Sequence, residues 1–104
     1  MNLTLRDRIT GMFLGIAIGD ALYMPTEIFG PKKIREVFGG RVTTYFDSPP
    51  NHPFQKDLKA GMWTDDTQLT LVMAEAIIAK GRIDFSEIAR QHILALQETV
   101  NGWG

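Results

Sequence analysis

Two adjacent carboxylates flanked by threonines stand in the middle of the chain, where residues 61–71 read GMWTDDTQLTL. The cluster comprises Thr64, Asp65, Asp66 and Thr67 and directly precedes an apolar run. Threonine and aspartate are preferred at helix N-termini because their side chains accept hydrogen bonds from free backbone amides. Acidic residues there also suit the helix dipole. The segment therefore predicts the start of a helix.

Capping alone does not require both Asp65 and Asp66. Two neighbouring carboxylates repel each other unless a cation lies between them. A hydroxyl and two carboxylates offer the hard oxygen ligands that suit Mg²⁺, Mn²⁺ or Ca²⁺. Zinc is not indicated, because the chain has no cysteine and only two histidines, His52 and His92, which we expect at the surface or in the core. Capping and metal binding both remain open for Thr64 and the two aspartates.

Two further acidic residues accompany the first apolar segment. Asp20 falls near the predicted end of a helix, where the helix dipole disfavours a negative charge. It therefore needs a buried hydrogen-bond donor or a cation. Glu27 follows Pro25, which ends that helix, and its residue type alone predicts only a solvated loop position.

Within the first helix, glycines recur every four residues on one stripe, which indicates close approach of another helix: Gly11, Gly15 and Gly19.

Four helices are predicted to position these residues, and the fold class is all-α. Apolar residues recur at helical spacing, with capping residues or proline at the starts and glycine at two of the ends. The predicted starts are Thr4, Pro31, Thr64 or Asp65, and Asp84. Residues 41–46 permit a short strand, but no convincing sheet follows. The third helix is apolar around most of its circumference, so it needs more neighbours than three short helices provide.

The composition is that of a soluble globular domain, with 44% hydrophobic and 22% charged residues among 104. Eleven basic and twelve acidic residues form no charged run, which argues against a nucleic-acid partner. The longest apolar run has nine residues, residues 11–19, short of the ~20 that span a membrane. No signal peptide is indicated at the start. We expect a cytoplasmic protein with no membrane partner.

Two motifs resemble the ADP-ribosylglycohydrolase family, which includes the dinitrogenase reductase-activating glycohydrolase. The first motif is GMFLGIAIGDALYMPTE, residues 11–27, and the second is GMWTDDTQLTLVMAEAI, residues 61–77. The final NGWG, residues 101–104, resembles the beginning of the family's glycine-rich substrate loop. The resemblance runs along essentially the whole chain in order.

The resemblance implies an orthogonally packed all-α domain, of which residues 1–104 form the N-terminal portion. It also implies a binuclear Mg²⁺ or Mn²⁺ centre that hydrolyses the bond between ADP-ribose and a protein side chain or small-molecule acceptor. The implied metal ligands are Thr64, Asp65 and Asp66. Glu27 would act in catalysis with the two aspartates. The implied substrate-binding residues are Asp20, which supports the site from its helix end, and Asn101, Gly102 and Trp103.

The sequence departs from the family pattern in two places. Tyr23 stands where the family commonly has glycine, and the late Asp-x-Asp-Ser/Thr motif that completes the metal site is not in the sequence. The chain is therefore expected to carry half of a metal site, completed by the remainder of the domain, or to associate with itself over its apolar faces. The alternatives are a non-catalytic, crystallin-like structural relative or inactive fragment, and a small helical interaction module.

Overall fold

Four α-helices make up most of the regular structure in the part of the chain that the structure describes. The structure, a computed structural model, describes residues 2–98. The helices are α1 (Leu5–Tyr23), α2 (Pro31–Phe38), α3 (Asp65–Lys80) and α4 (Phe85–Ala95), and a 3-10 turn, Met24–Thr26, continues α1. The all-α class is confirmed. No strand forms in the described residues, so the short strand permitted at residues 41–46 is wrong.

The helix boundaries follow the local sequence signals. Thr4 and Asp7 form a reciprocal capping box at the start of α1: Thr4 Oγ1 accepts from the Asp7 amide at 3.1 Å, and the Asp7 carboxylate accepts from the Thr4 amide at 2.9 Å. Asp84 caps α4 by accepting from the Glu87 amide at 2.9 Å. Glycines in the left-handed region terminate α2 and α3.

The helices form a flat slab with a thin core. The molecule measures 47 × 42 × 19 Å and has a radius of gyration of 16.2 Å, whereas a compact domain of this size has about 13 Å. Helix α3 packs against α1 and α4, but Ile78 on its surface is 80% exposed. The buried apolar residues are Ala21, Met24, Val42, Leu58, Val72 and Ala76. The described residues therefore do not surround α3, as its apolar pattern requires.

The glycine stripe of α1 has no neighbour in the described part of the chain. A Cβ atom built at Gly11, Gly15 or Gly19 would meet no atom within 4 Å. The predicted close approach of a second helix is therefore wrong for residues 2–98.

One segment of the described residues, Leu5–Thr26, is long and apolar enough to cross a membrane, with a mean hydropathy of 1.2 and 22% of its window buried. A single helix of this kind is weak support for a membrane span, because core helices of soluble proteins share the same length and composition. The absence of a membrane partner stays a prediction.

Candidate functional site

Asp20 joins the end of α1 to the start of α3. Its Oδ2 accepts hydrogen bonds from the backbone amides of Thr64 and Thr67, at 2.8 and 3.1 Å, and from Thr67 Oγ1 at 2.6 Å. Its Oδ1 accepts from Thr64 Oγ1, also at 2.6 Å. Both threonines are only 3% exposed. Asp20 therefore supplies the N-terminal cap of α3 from another helix, which explains a carboxylate at the unfavourable end of α1.

Thr64 occupies the N-cap position of α3, but its side chain does not cap the helix. The capping interpretation of this hydroxyl is wrong, because the group donates to Asp20 instead of accepting from an amide of its own helix. A hydroxyl has one hydrogen and two acceptor lone pairs. The hydrogen is committed to Asp20, and no residue in the range 2–98 donates to Thr64 Oγ1, so the described residues leave its lone pairs unused.

The carboxylates of Asp65 and Asp66 carry negative charge beside this junction. Neither accepts a hydrogen bond from any residue in the described range 2–98. Although Asp66 as a whole is exposed, the surroundings of its carboxyl group raise its pKa. Partial burial contributes most, followed by the charges of Asp65, Asp20 and Glu27. Asp66 thus lies close enough to three other carboxylates for their charges to disfavour its ionised form.

An open cleft of about 540 Å³ lies at the centre of this cluster. The end of α1, the 3-10 turn and the start of α3 line it, and the acidic residues on its wall are Asp20, Glu27 and Asp66. Thr64 also lines the cleft, whereas Asp65, one position earlier than Asp66, does not. The structure therefore brings four of the predicted site residues to one cavity.

Glu27 reaches the cleft directly after the 3-10 turn and is held by a loop far along the chain. One oxygen of its carboxylate, Oε2, accepts a hydrogen bond from Gln55 Nε2. Its backbone carbonyl accepts from His52 Nε2 at 2.9 Å. His52 is 2% and Gln55 0% exposed. The sequence did not predict either contact, and His52 was expected only at the surface or in the core. The prolines around His52 indicate a loop but do not indicate its partner.

Comparison with known proteins places the chain in a family. The model of the ADP-ribosylglycohydrolase family matches residues 1–103. The chain belongs to the ADP-ribosylglycohydrolase family. No solved structure matches it with statistical significance.

Several curated relatives support membership of the ADP-ribosylglycohydrolase family. The chain is 31% identical over 94 residues to the ADP-ribosyl-[dinitrogen reductase] glycohydrolase of Rhodospirillum rubrum, covering 90% of this chain and 30% of that protein. It is 33% identical to the ADP-ribosylarginine hydrolase Tri1 of Pseudomonas putida, covering 80% and 19%. An uncharacterized protein of Archaeoglobus fulgidus is 39% identical over 71% of this chain and 22% of its own length. The chain thus spans less than a third of each relative.

The oxygen donors of this ADP-ribosylglycohydrolase chain fit a hard divalent cation but do not complete its coordination. Among residues 2–98, no group of three or more histidine, cysteine, aspartate or glutamate side chains converges as metal ligands. Asp20 accepts four hydrogen bonds, and Glu27 accepts one from Gln55 on Oε2. Thr64 Oγ1, Glu27 Oε1 and the carboxylates of Asp65 and Asp66 remain, fewer than two Mg²⁺ ions take at about six oxygens each. The predicted substrate residues Asn101, Gly102 and Trp103 lie outside the described residues.

Proposed function

We propose that this chain supplies the N-terminal part of an active site that hydrolyses the bond between the anomeric carbon of ADP-ribose and a nitrogen or oxygen of its acceptor. The acceptor would be a modified protein side chain or a small molecule. The observation that carries the proposal is the cleft at the α1–α3 junction, where Asp66 lies among three other carboxylates. The names of the relatives support the reaction class, since they act on ADP-ribosyl-dinitrogen reductase and ADP-ribosylarginine.

Thr64, Asp65 and Asp66 would hold Mg²⁺ or Mn²⁺ in this proposal. When bound, a pair of such ions supplies a nucleophilic water near neutral pH and a template for the ribose hydroxyls. Asp20 serves the same site without being a ligand. It holds the hydrogen of the Thr64 hydroxyl, so the oxygen presents only lone pairs, and it fixes the first turn of α3 through two backbone amides.

Glu27 would move a proton at the reacting centre. Glu27 lines the cleft, and only one oxygen of its carboxylate, Oε2, accepts a hydrogen bond from a described residue. A carboxylate in this position can accept a proton from the attacking water. The negative charge of the cleft also stabilises the oxocarbenium-like transition state of glycosidic bond cleavage. Glu27 and the α3 aspartates would therefore act on the same attacking water.

The test measures release of ADP-ribose from ADP-ribosylated arginine by the protein at the full length that its gene encodes, with Mg²⁺ or Mn²⁺ present. Asp65→Asn and Asp66→Asn retain size and capping capacity, so we expect unchanged helical content with lost divalent affinity by calorimetry and lost turnover. Glu36→Gln, at an exposed ion pair on α2, is the matched control. A full-length protein that releases no ADP-ribose from arginine-linked or other acceptors would instead favour the non-catalytic structural relative.

A further inference from the structure

Two buried side chains of a short turn, 25 and 28 positions further along the chain, contact Glu27. The 52–55 turn comprises His52, Pro53, Phe54 and Gln55, and two of its side chains contact Glu27 at different atoms. His52 Nε2 bonds the backbone carbonyl at 2.9 Å, and Gln55 Nε2 bonds the carboxylate. The turn therefore fixes both the backbone and the side chain of the glutamate.

The tautomer of His52 follows from its own turn. Its Nδ1 accepts from the backbone amides of Phe54 and Gln55, at 3.2 and 3.0 Å. Since a ring nitrogen that accepts carries no proton in the neutral imidazole, the proton is on Nε2. That nitrogen is then a donor, and Glu27 O is the acceptor it meets. The hydrogen bonds within the turn thus fix the tautomer in which His52 Nε2 donates to Glu27.

The burial of Gln55 is not explained by a contribution to stability. It is 0% exposed, and its Oε1 has no hydrogen-bond partner in the described part of the chain. A buried polar atom without a partner costs stability, and an apolar side chain of the same shape avoids that cost. The side-chain donor of Gln55 is used for Glu27. The buried Oε1 of Gln55 therefore lowers the stability of the fold, while its Nε2 makes the contact with Glu27.

The backbone beside Glu27 is strained, and the turn helps to hold it. Ile28 has a φ of 62°, which is a genuine outlier for a β-branched residue. Such a conformation persists only where surrounding contacts over-determine it. Here the Phe29 amide bonds Thr26 O at 2.9 Å on one side, and His52 holds the Glu27 carbonyl on the other.

We infer that His52 and Gln55 are positioning residues that hold Glu27 in its reactive orientation against the strained backbone at Ile28. The inference rests on the proposed function in one respect, namely that Glu27 acts in the hydrolysis. Both residues are buried and contact Glu27, so their effect on the reaction passes through it. Removing either contact leaves Glu27 chemically intact but free to leave the cleft.

The main test is Gln55→Met in the full-length gene product, which keeps the volume and removes the donor. We expect kcat for ADP-ribose release to fall about 10- to 100-fold, the size expected for a displaced catalytic group, with KM little changed and Tm unchanged or higher. The double variant Glu27→Gln/Gln55→Met should be no slower than Glu27→Gln alone. Gln97→Met, at an exposed glutamine after α4, is the control and should keep the parental rate.

His52→Asn tests the second contact. The asparagine oxygen can replace Nδ1 as acceptor and preserve the turn, but the side chain is too short to reach the Glu27 carbonyl. We expect kcat to fall with Tm nearly retained, and Ile28→Gly to restore part of the loss because glycine accepts positive φ without strain. A loss of Tm that parallels the loss of kcat, or an additive loss in the Glu27→Gln background, would show a purely structural role and overturn the inference.

Hydrogen exchange separates this inference from the proposed function. The amides of Glu27 and Phe29 are hydrogen-bonded within the segment that the turn restrains, so Gln55→Met and His52→Asn should speed their exchange relative to Gln97→Met. Unchanged exchange in both variants overturns the positioning role even if the enzyme is active. A parent protein without hydrolase activity, but with faster exchange in both variants, overturns the proposed function and leaves the restraint of Glu27 standing.

Discussion

Substituting Asp20 by asparagine isolates the charge at the α1–α3 junction while keeping the shape of the side chain. The asparagine oxygen can replace Oδ2 and keep its three donors, from the amides of Thr64 and Thr67 and the Thr67 hydroxyl. The amide nitrogen then replaces Oδ1 and faces Thr64 Oγ1. That hydroxyl must rotate and accept, which turns its own hydrogen away from residue 20.

The magnitude follows from the four hydrogen bonds. A bond to an ionised group contributes about 1.5–3 kcal/mol net, against about 0.5–1.5 kcal/mol between neutral groups, so each bond weakens by roughly 1 kcal/mol. The bonds share two threonines and do not add fully, and removing the charge relieves repulsion with Asp66. We expect a loss of about 2–3 kcal/mol, allowing for this non-additivity. At about 2–4 °C per kcal/mol for a larger domain, Tm falls by roughly 4–12 °C.

The assays are thermal unfolding by circular dichroism and titration of Mn²⁺ by calorimetry, both on the full-length gene product. Asp20→Asn should also weaken Mn²⁺ binding although Asp20 is not a proposed ligand, because the rotated Thr64 hydroxyl presents its hydrogen instead of a lone pair. Glu36→Gln, which removes one exposed charge from a 4.0 Å pair with Lys32, should change neither quantity. Parental Tm and parental Mn²⁺ affinity in Asp20→Asn would refute the role assigned to this carboxylate.

Three further outcomes are expected. Glu27→Gln in the full-length gene product should slow ADP-ribose release by about 10²–10⁴-fold, as for loss of a proton-transfer group, with little change in Tm; a near-parental rate would remove Glu27 from the site. In α4, hydrogen bonds from Arg90 and Gln91 lower the pKa of Glu87 from 4.5 to about 2. Because the folded pKa is depressed, the stabilisation is present above pH 4.5 and is lost as pH falls toward 2. Acid unfolding monitored by fluorescence should therefore lose this component in Glu87→Gln, and an identical acid transition would contradict it. The 104-residue chain alone should release no measurable ADP-ribose and bind Mn²⁺ weakly, since residues 2–98 bring no three carboxylate or histidine ligands together; robust metal-dependent release would contradict this half-site.

The helices could be predicted because their signals act over a few residues. The Thr4–Asp7 capping box, Pro31 at the start of α2 and the glycines that end α2 and α3 all operate within one turn of the position they define. The strand permitted at residues 41–46 could not be judged from such local signals, because a short apolar and β-branched run forms a strand only when a partner strand is present.

The site could be predicted only in part, because its contacts join distant segments. The residue type of Thr64 predicted a side-chain cap for α3, whereas the cap comes from Asp20, 44 positions earlier. Local chemistry gave Glu27 a solvated loop position, and only the family resemblance assigned it to a site. His52 and Gln55 carried no periodic or motif signal, and their contacts with Glu27 depend on how the loop folds back. Residue types predicted what these groups can do, but not which partner each one meets.

The cap that Asp20 provides across the fold also bears on how the chain acquires its structure. An isolated helix has an unfavourable nucleus, and α3 begins where its first amides depend on a carboxylate from α1. The first turn of α3 is therefore stabilised only after α1 has docked, a contact that closes a loop of more than forty residues. Folding of the acidic turn and assembly of the cleft then become a single cooperative event. The first turn of α3, which carries Asp65 and Asp66, therefore gains its caps only in the state in which the cleft is also assembled.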